Sequence, residues 1–199
     1  MYVVRHPLVL GSGSPRRREL LTLVGLSFEV HVTDVPEEPL DGEAPGEHAR
    51  RLARDKARAA SLAAPRAIAL GADTIVVLDG EVLGKPRDAA DAVAMLTRLS
   101  ARPHQVLTGF ALAEGGNVRC SDVVRTEVDF RAVSAREIEA YVATGEPLDK
   151  AGGYGIQGRA AAFVATIRGS YTNVVGLPLV EVLEALLELG AIAPHGSAP

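Results

Sequence analysis

The sequence predicts an α/β fold built on a mixed, twisted sheet with flanking helices. Three observations predict it. Short apolar runs, such as residues 8–10, alternate along the chain with segments whose apolar residues recur at helical spacing, such as Ala92, Met95, Leu96 and Leu99. Asp79-Gly80 and the Gly115-Gly116-Asn117 run are tight-turn signals, which join antiparallel neighbours. Elsewhere strands and helices alternate, as crossover connections require, so the sheet has both kinds of pairing.

The elements follow in order. Residues 8–10 read as a buried strand ended by Gly11, after which Ser14 is an N-cap candidate and Pro15 suits a first helical position. That helix carries Leu20, Leu21 and Val24 on one face and stops at Gly25; a strand over 28–32 follows. Residues 34–47, rich in Pro, Gly and acid, form a loop, and strong helix formers predict a helix over 47–64. Strands are expected at 67–70, 75–78 and 81–83, a helix at 89–99, and paired strands at 106–113 and 118–130. Ser134 and Glu137 make a capping box opening a helix that stops at Gly145. Residues 161–168 read as strand, 169–178 as a polar turn with Pro178 in the first turn of the next helix, and 180–189 as that amphipathic helix. Residues 1–190 are expected to form one domain and 191–199 a flexible tail.

Composition narrows the function. The 199 residues suffice for one substantial core; Trp is absent and aromatics are 4%, so Val, Leu, Ile and Ala must fill it. So few rings argue against a stacking platform for single-stranded nucleic acid. A net charge of −4 gives no support to broad nucleic-acid binding, and a phosphate ligand needs a local cluster of cations. Arg16, Arg17 and Arg18 are such a cluster. The lone Cys120 excludes an intrachain disulfide or a cysteine-built zinc site and fits a reducing compartment. The first residues lack a signal-peptide layout, and no run approaches the roughly eighteen apolar residues of a spanning helix, so a cytoplasmic location is expected, with no membrane partner.

Four constellations carry chemistry. In GSGSPRRR, residues 11–18, glycines, hydroxyls and arginines gather at a helix start, where free N–H groups and the helix dipole favour an anion. Cations in a first turn oppose that dipole, which argues for a bound phosphate rather than a merely capped helix. In GADTIVV, residues 71–77, Asp73 follows the small residues Gly71 and Ala72, where a ligand could approach; it could orient a metal or accept a proton, though it also reads as an ordinary turn residue. Glu37 and Glu38 likewise read as solvated loop acids. Lys85, between Gly84 and Pro86, sits on a rigid loop, and a solvated turn lysine is the alternative. Residues 148–158 hold four glycines with Asp149, Lys150 and Gln157, as if folded around something, or as a mobile surface loop; the Gln157 amide offers the donor and acceptor that base recognition requires.

Together these motifs resemble the Maf family of nucleoside triphosphate pyrophosphatases, also known as septum formation inhibitor proteins. The resemblance is ordered along nearly the whole chain: SGSPRR at 12–17, Lys56-Ala57, ADT at 72–74, LGKP at 83–86, DKAGGYGIQG at 149–158 and GSYTNVVGLP at 169–178. It implies a fold of the Maf and inosine triphosphatase kind, with two lobes around a central cleft, a divalent cation (Mg²⁺ or Mn²⁺), and hydrolysis of a nucleoside triphosphate to monophosphate and pyrophosphate. By position Asp73 would be the catalytic base, while Ser12, Arg17, Glu37, Lys56 and Lys85 match phosphate- or metal-contacting residues, Glu37 and Asp73 on the metal side. Arg16, Thr74 and Gln157 match positions that mark the branch preferring dTTP and UTP over the one acting on 7-methyl-GTP. Gly11 stands where the family usually has Ala, and Pro36 replaces an acid commonly found just before Glu37, removing one carboxylate from that loop. The resemblance further implies roles in excluding non-standard nucleotides and in arresting cell division, and is compatible with a homodimer. The rival function is a nucleotide-binding regulator of septum formation with little catalysis; a weaker rival is a phosphatase removing the terminal phosphate.

Overall fold

The computed structural model describes residues 1–196 and has the mixed α/β architecture. In chain order the elements are β1 (Tyr2–Val4), β2 (Leu8–Leu10), α1 (Pro15–Leu23), β3 (Glu29–Val30), α2 (Pro45–Ala63), β4 (Ile68–Leu78), β5 (Glu81–Leu83), α3 (Ala89–Leu99), β6 (Pro103–Glu114), β7 (Asn117–Phe130), α4 (Ala135–Val142), β8 (Val164–Arg168), α5 (Tyr171–Val175), α6 (Leu179–Glu188) and β9 (Ile192–Pro194). One sheet runs in the order β3-β2-β4-β6-β7-β8, with β5 paired to β4. Strand β2 is parallel to β3 and β4, whereas β4–β5 and β7–β8 are antiparallel. Both two-residue turns take the left-handed geometry that matches strand twist: φ is 53° and 84° at Asp79 and Gly80, and 53° and 84° at Gly115 and Gly116. No helix among the described residues is long and apolar enough to cross a membrane.

Several elements differ from the sequence expectation, each for a physical reason. Residues 67–70 and 75–78 are parts of one strand, β4, that continues through Gly71 and Asp73. The strand expected at 28–32 shrinks to Glu29–Val30, because its parallel partner β2 ends at Leu10, before the Gly11 turn. The strand expected from 161 starts at Val164, since a 3₁₀ turn at Arg159–Phe163 first buries Ala160 and Phe163. The polar turn at 169–178 contains helix α5, whose Asn173 amide is capped by the Ser170 hydroxyl at 3.2 Å. The expected tail from 191 begins instead with β9, which pairs antiparallel with β1 in the register Tyr2↔Pro194 to Val4↔Ile192. Residues 197–199 of that tail lie outside the described residues.

The chain divides into two compact units. The first comprises Met1–Asp73, Thr108–Val124 and the chain from Gly176; the second comprises Thr74–Leu107 and Arg125–Val175.

In the first unit α2 lies directly on the sheet. Ala49, Ala53, Ala57 and Ala60 are all completely buried. At two points even a methyl group is too large. A Cβ on Gly71 would sit 2.2 Å from the Ala53 carbonyl oxygen and 2.3 Å from the Ala57 nitrogen, and one on Gly109 would sit 2.3 Å from the Ala49 carbonyl oxygen. Contacts between helix backbone and sheet backbone are possible only where the strand residue has no side chain.

The second unit has a larger-grained core. Leu78, Leu96, Leu99, Val106 and Val128 pack with Phe130, Tyr141, Tyr154 and Phe163. The rings meet edge to face, Phe130 on Tyr154 at 4.8 Å and Tyr141 on Phe163 at 5.3 Å. The expected capping box holds α4: the Ser134 hydroxyl accepts from the Glu137 amide, and the Glu137 carboxylate accepts from the Ser134 amide at 2.9 Å.

Gly71→Ala should destabilise the protein by about 3 kcal/mol or more, the upper end of overpacking effects, because the new methyl meets backbone on a rigid helix. Urea unfolding measures it, and a loss below about 1 kcal/mol would show that α2 can retreat.

Candidate active site

The turn from β2 into α1 is less a ligand cradle than its glycines suggest. A Cβ on Gly11 would lie 3.0 Å from both the Ala60 Cβ and the Lys56 carbonyl oxygen, so this glycine makes room for α2. Gly13 is exposed, and a Cβ there would meet only Val32 at 3.5 Å and beyond. Ser14 is the N-cap, but its side chain makes no capping bond; its amide donates to the Ser12 hydroxyl at 3.3 Å. Arg17 is turned inward and buried. Its Nε donates to the Gly176 carbonyl at 2.8 Å and its Nη1 to the Ser12 hydroxyl at 2.9 Å. Burial lowers the Arg17 pKa, with Asp73 and Glu37 pulling it back up and Arg16 adding to the depression. So the cation that opposes the helix dipole is answered in part by the protein's own carboxylates. Arg16 is half-buried and Arg18 exposed.

Those carboxylates converge on one ammonium. Lys56, buried on α2, donates to Glu37 Oε1 at 2.5 Å and to Asp73 Oδ1 at 2.7 Å. Asp73 comes from β4 and Glu37 from the loop between β3 and α2. Strand alternation puts Asp73 on the same face as Gly71, the face on which α2 rests, so the packing that excludes a side chain at 71 also delivers Lys56 to Asp73. Ser12, Arg17, Glu37, Lys56 and Asp73 therefore form one group in the first unit, with two cations facing two anions. Gly71, before Asp73, admits the helix rather than a ligand.

Thr74, Lys85 and Gln157 belong to the second unit. Thr74 follows Asp73 on β4 and is half-buried, whereas Lys85 and Gln157 are exposed on loops. Those two loops are tied together: the Gly152 amide donates to the Gly84 carbonyl at 3.0 Å. The glycines of the 148–158 loop make room for the protein's own groups. A Cβ on Gly152 would press on the Val76 methyls at 3.0 Å, one on Gly155 would meet Lys150 Cε at 2.6 Å, and one on Gly158 would overlap the Glu146 carboxylate. That carboxylate accepts from the Tyr141 hydroxyl at 3.1 Å and the Arg159 amide at 3.3 Å. Beneath the loop the Tyr154 hydroxyl and His104 Nε2 share a buried hydrogen bond of 2.7 Å. Burial pushes the His104 pKa down to about 4, while the backbone at Arg102 and the charge of Asp129 pull weakly the other way.

The sequence profile of the family described as Maf-like protein matches residues 7–189. The chain belongs to the Maf family. A protein of Geobacter metallireducens named dTTP/UTP pyrophosphatase is 54% identical over 187 residues, 93% of this chain and 97% of its own length. One of the same name from Salmonella typhimurium is 55% identical over 186 residues, 93% of this chain and 94% of its own. Among solved structures, the HAM1 protein of Coxiella burnetii superposes with a TM-score of 0.50 at 18% identity, covering 92% of this chain and 99% of that one. The Staphylococcus aureus Ham1 protein gives 0.50 at 15% identity with the same coverage, 92% and 99%. These two establish likeness of fold.

Three residues of this Maf chain escaped the sequence reading. Glu43, His48 and Arg51 join the loop that carries Glu37 to helix α2. The available signal was weak: one acid among five between residues 34 and 43, and one arginine among four on α2.

His104 yields a pH prediction. Its folded pKa lies below the ordinary value near ~6.5, so the unfolded chain binds the proton more readily and protonation favours unfolding. Its contribution is complete above about pH 6.5 and is lost as pH falls toward 4. Chemical denaturation at pH 7 and pH 4.5 should show His104→Phe losing less stability on acidification than the parent. Equal losses would remove His104 as the cause.

Proposed function

We propose that this chain hydrolyses dTTP and UTP to the nucleoside monophosphate and pyrophosphate, with a Mg²⁺ or Mn²⁺ ion. The observation that carries the reading is the Lys56 ammonium held between Asp73 and Glu37 beside Arg17. It is supported by the family and by relatives named for this activity over nearly their whole length.

The charges decide what the group can take. Arg17 and Lys56 balance Asp73 and Glu37, whereas a triphosphate brings roughly four negative charges that need additional cations. Among the described residues no three or more His, Cys, Asp or Glu side chains gather as a metal cage. Two hard carboxylate oxygens are nevertheless what Mg²⁺ uses when substrate phosphates complete its shell, so the donor set fits the ion. Glu37 and Asp73 would hold it. When bound, it would neutralise phosphate charge and stabilise the departing pyrophosphate.

The remaining steps belong to the chain's own residues. Lys56 has one N–H beyond the two given to carboxylates and would place it on a phosphate oxygen. Arg17, locked by Ser12 and Gly176, would present fixed positive charge to the same polyphosphate. Lys56 engages Oδ1 of Asp73, so Oδ2 would accept the proton of a water aligned on the α-phosphorus. Arg16, Thr74, Lys85 and Gln157 keep the substrate-contacting roles that family resemblance implies, with Gln157 reading the pyrimidine. Cys120, the chain's one thiol, fits a reducing, cytoplasmic setting.

Purified protein given dTTP and Mg²⁺ should release pyrophosphate, and orthophosphate as the first product would overturn the reading. Asp73→Asn should lower kcat at least ~100-fold, the range of a lost general base, while nucleotide binding persists. Undiminished turnover in that variant would sink the assignment of Asp73.

A further inference from the structure

The loop that carries Glu37 has almost no regular structure: between Val30 and Pro45 no residue lies in a helix or strand. A carboxylate on such a segment is aimed only if the backbone beside it is tied down. The ties are visible. Among the loop's acids Glu43 is turned inward, its side chain 9% exposed against 56% for Glu37. Arg51, on α2, grips it with a fork, Nε to Oε1 at 2.6 Å and Nη2 to Oε2 at 2.9 Å. Oε2 also meets His48 Nδ1 at 2.9 Å and accepts from the backbone amide of Leu40 at 3.2 Å. The same Arg51 Nη2 donates to the carbonyl of Glu38 at 2.9 Å. Two backbone points just past Glu37 are thus fixed to the helix that carries Lys56. The Arg51 hydrogen bond holds the Glu43 pKa down to about 2, so the grip stays charged through the neutral range.

We propose that Glu43 and Arg51 form a positioning clasp, which holds the loop so that Glu37 reaches Lys56 and Asp73 and thereby sets the affinity of that group for a divalent cation. This rests on the role of Glu37 given above. The clasp touches neither substrate nor ion; it acts through the backbone at Glu38 and Leu40. Lysine cannot replace Arg51, since a single ammonium cannot grip both carboxylate oxygens and the Glu38 carbonyl in one plane.

The test is a double-mutant cycle between Arg51→Gln and Glu37→Gln, read by Mn²⁺ affinity in the presence of a non-hydrolysable dTTP analogue and by the Mg²⁺ dependence of pyrophosphate release. Loss of a group that orients a metal ligand typically weakens affinity about 10–100-fold, and that is the change expected for Arg51→Gln in the parent chain. In the Glu37→Gln background the same change should alter Mn²⁺ affinity by less than about twofold, because the clasp then has nothing to aim. Equal losses in both backgrounds would overturn the proposal, giving Arg51 a role in general stability only. If Arg51→Gln fails to fold, the same cycle with Arg51→Lys decides, and amide exchange at Leu40 should quicken in either variant. Unchanged Mn²⁺ affinity in Glu37→Gln alone would overturn both the clasp and the role of Glu37. Coupled Mn²⁺ binding in a protein that releases no pyrophosphate would support the clasp while overturning the pyrophosphatase reading.

Discussion

The close seating of helix α2 on the sheet is the constraint on which the rest of the first unit depends. Helices usually stand off a sheet by the length of their side chains; here the backbone of Ala53 and Ala57 meets Gly71, and that of Ala49 meets Gly109. Four fully buried alanines let the helix come that near along its length. Nearness fixes register. A helix held this tightly cannot slide or roll without driving backbone into backbone, so residues that flank the contact inherit its precision. Lys56 precedes Ala57 on the helix and Asp73 lies two residues past Gly71 on the strand, and their 2.7 Å bond follows from the packing.

Electrostatics then determine what such an arrangement is good for. Burying a lysine and an arginine in the same small region would be prohibitive without partners, because each charge loses its hydration. Asp73 and Glu37 supply those partners, and the Ser12 hydroxyl and Gly176 carbonyl occupy the guanidinium. The four side-chain charges thus balance, two against two.

Local chemistry was legible from the sequence, and contact chemistry was not. The α4 capping box, the two left-handed turns, the Pro15 start and the bounds of α3 were all foreseen, since each depends on residues within one turn of one another. Strand β1 went unforeseen because its partner lies at residues 192–194, and nothing near Tyr2 announces that pairing. The glycines were the most instructive case. Gly11 and Gly71 suggest space for a ligand, and Gly152, Gly155 and Gly158 either that or a mobile loop; each instead leaves space for the protein itself. A glycine reports that a side chain would not fit, and says nothing of what excludes it. The clasp was hidden for a related reason: Glu43 differs from Glu37 and Glu38 in what folds over it, not in its immediate sequence.

The same reasoning applies to the loops of the second unit that carry Lys85 and Gln157. Lys85 and Gln157 have solvent-facing side chains, which would ordinarily argue for mobility and weak recognition. Their backbones, however, are held on several sides. Gly152 is bonded to Gly84, and Tyr154 is pinned beneath the loop by His104. A side chain on such a backbone loses only its own rotamer freedom when it engages a ligand, about 0.5–1.5 kcal/mol, because the loop is already ordered. Self-packing glycines let the loop close on Glu146, Lys150 and Val76, and so stiffen the backbone from which Gln157 projects. This is the role that α2 and the Glu43–Arg51 clasp play for Glu37, achieved in one unit by helix packing and charge and in the other by turns and a buried aromatic core.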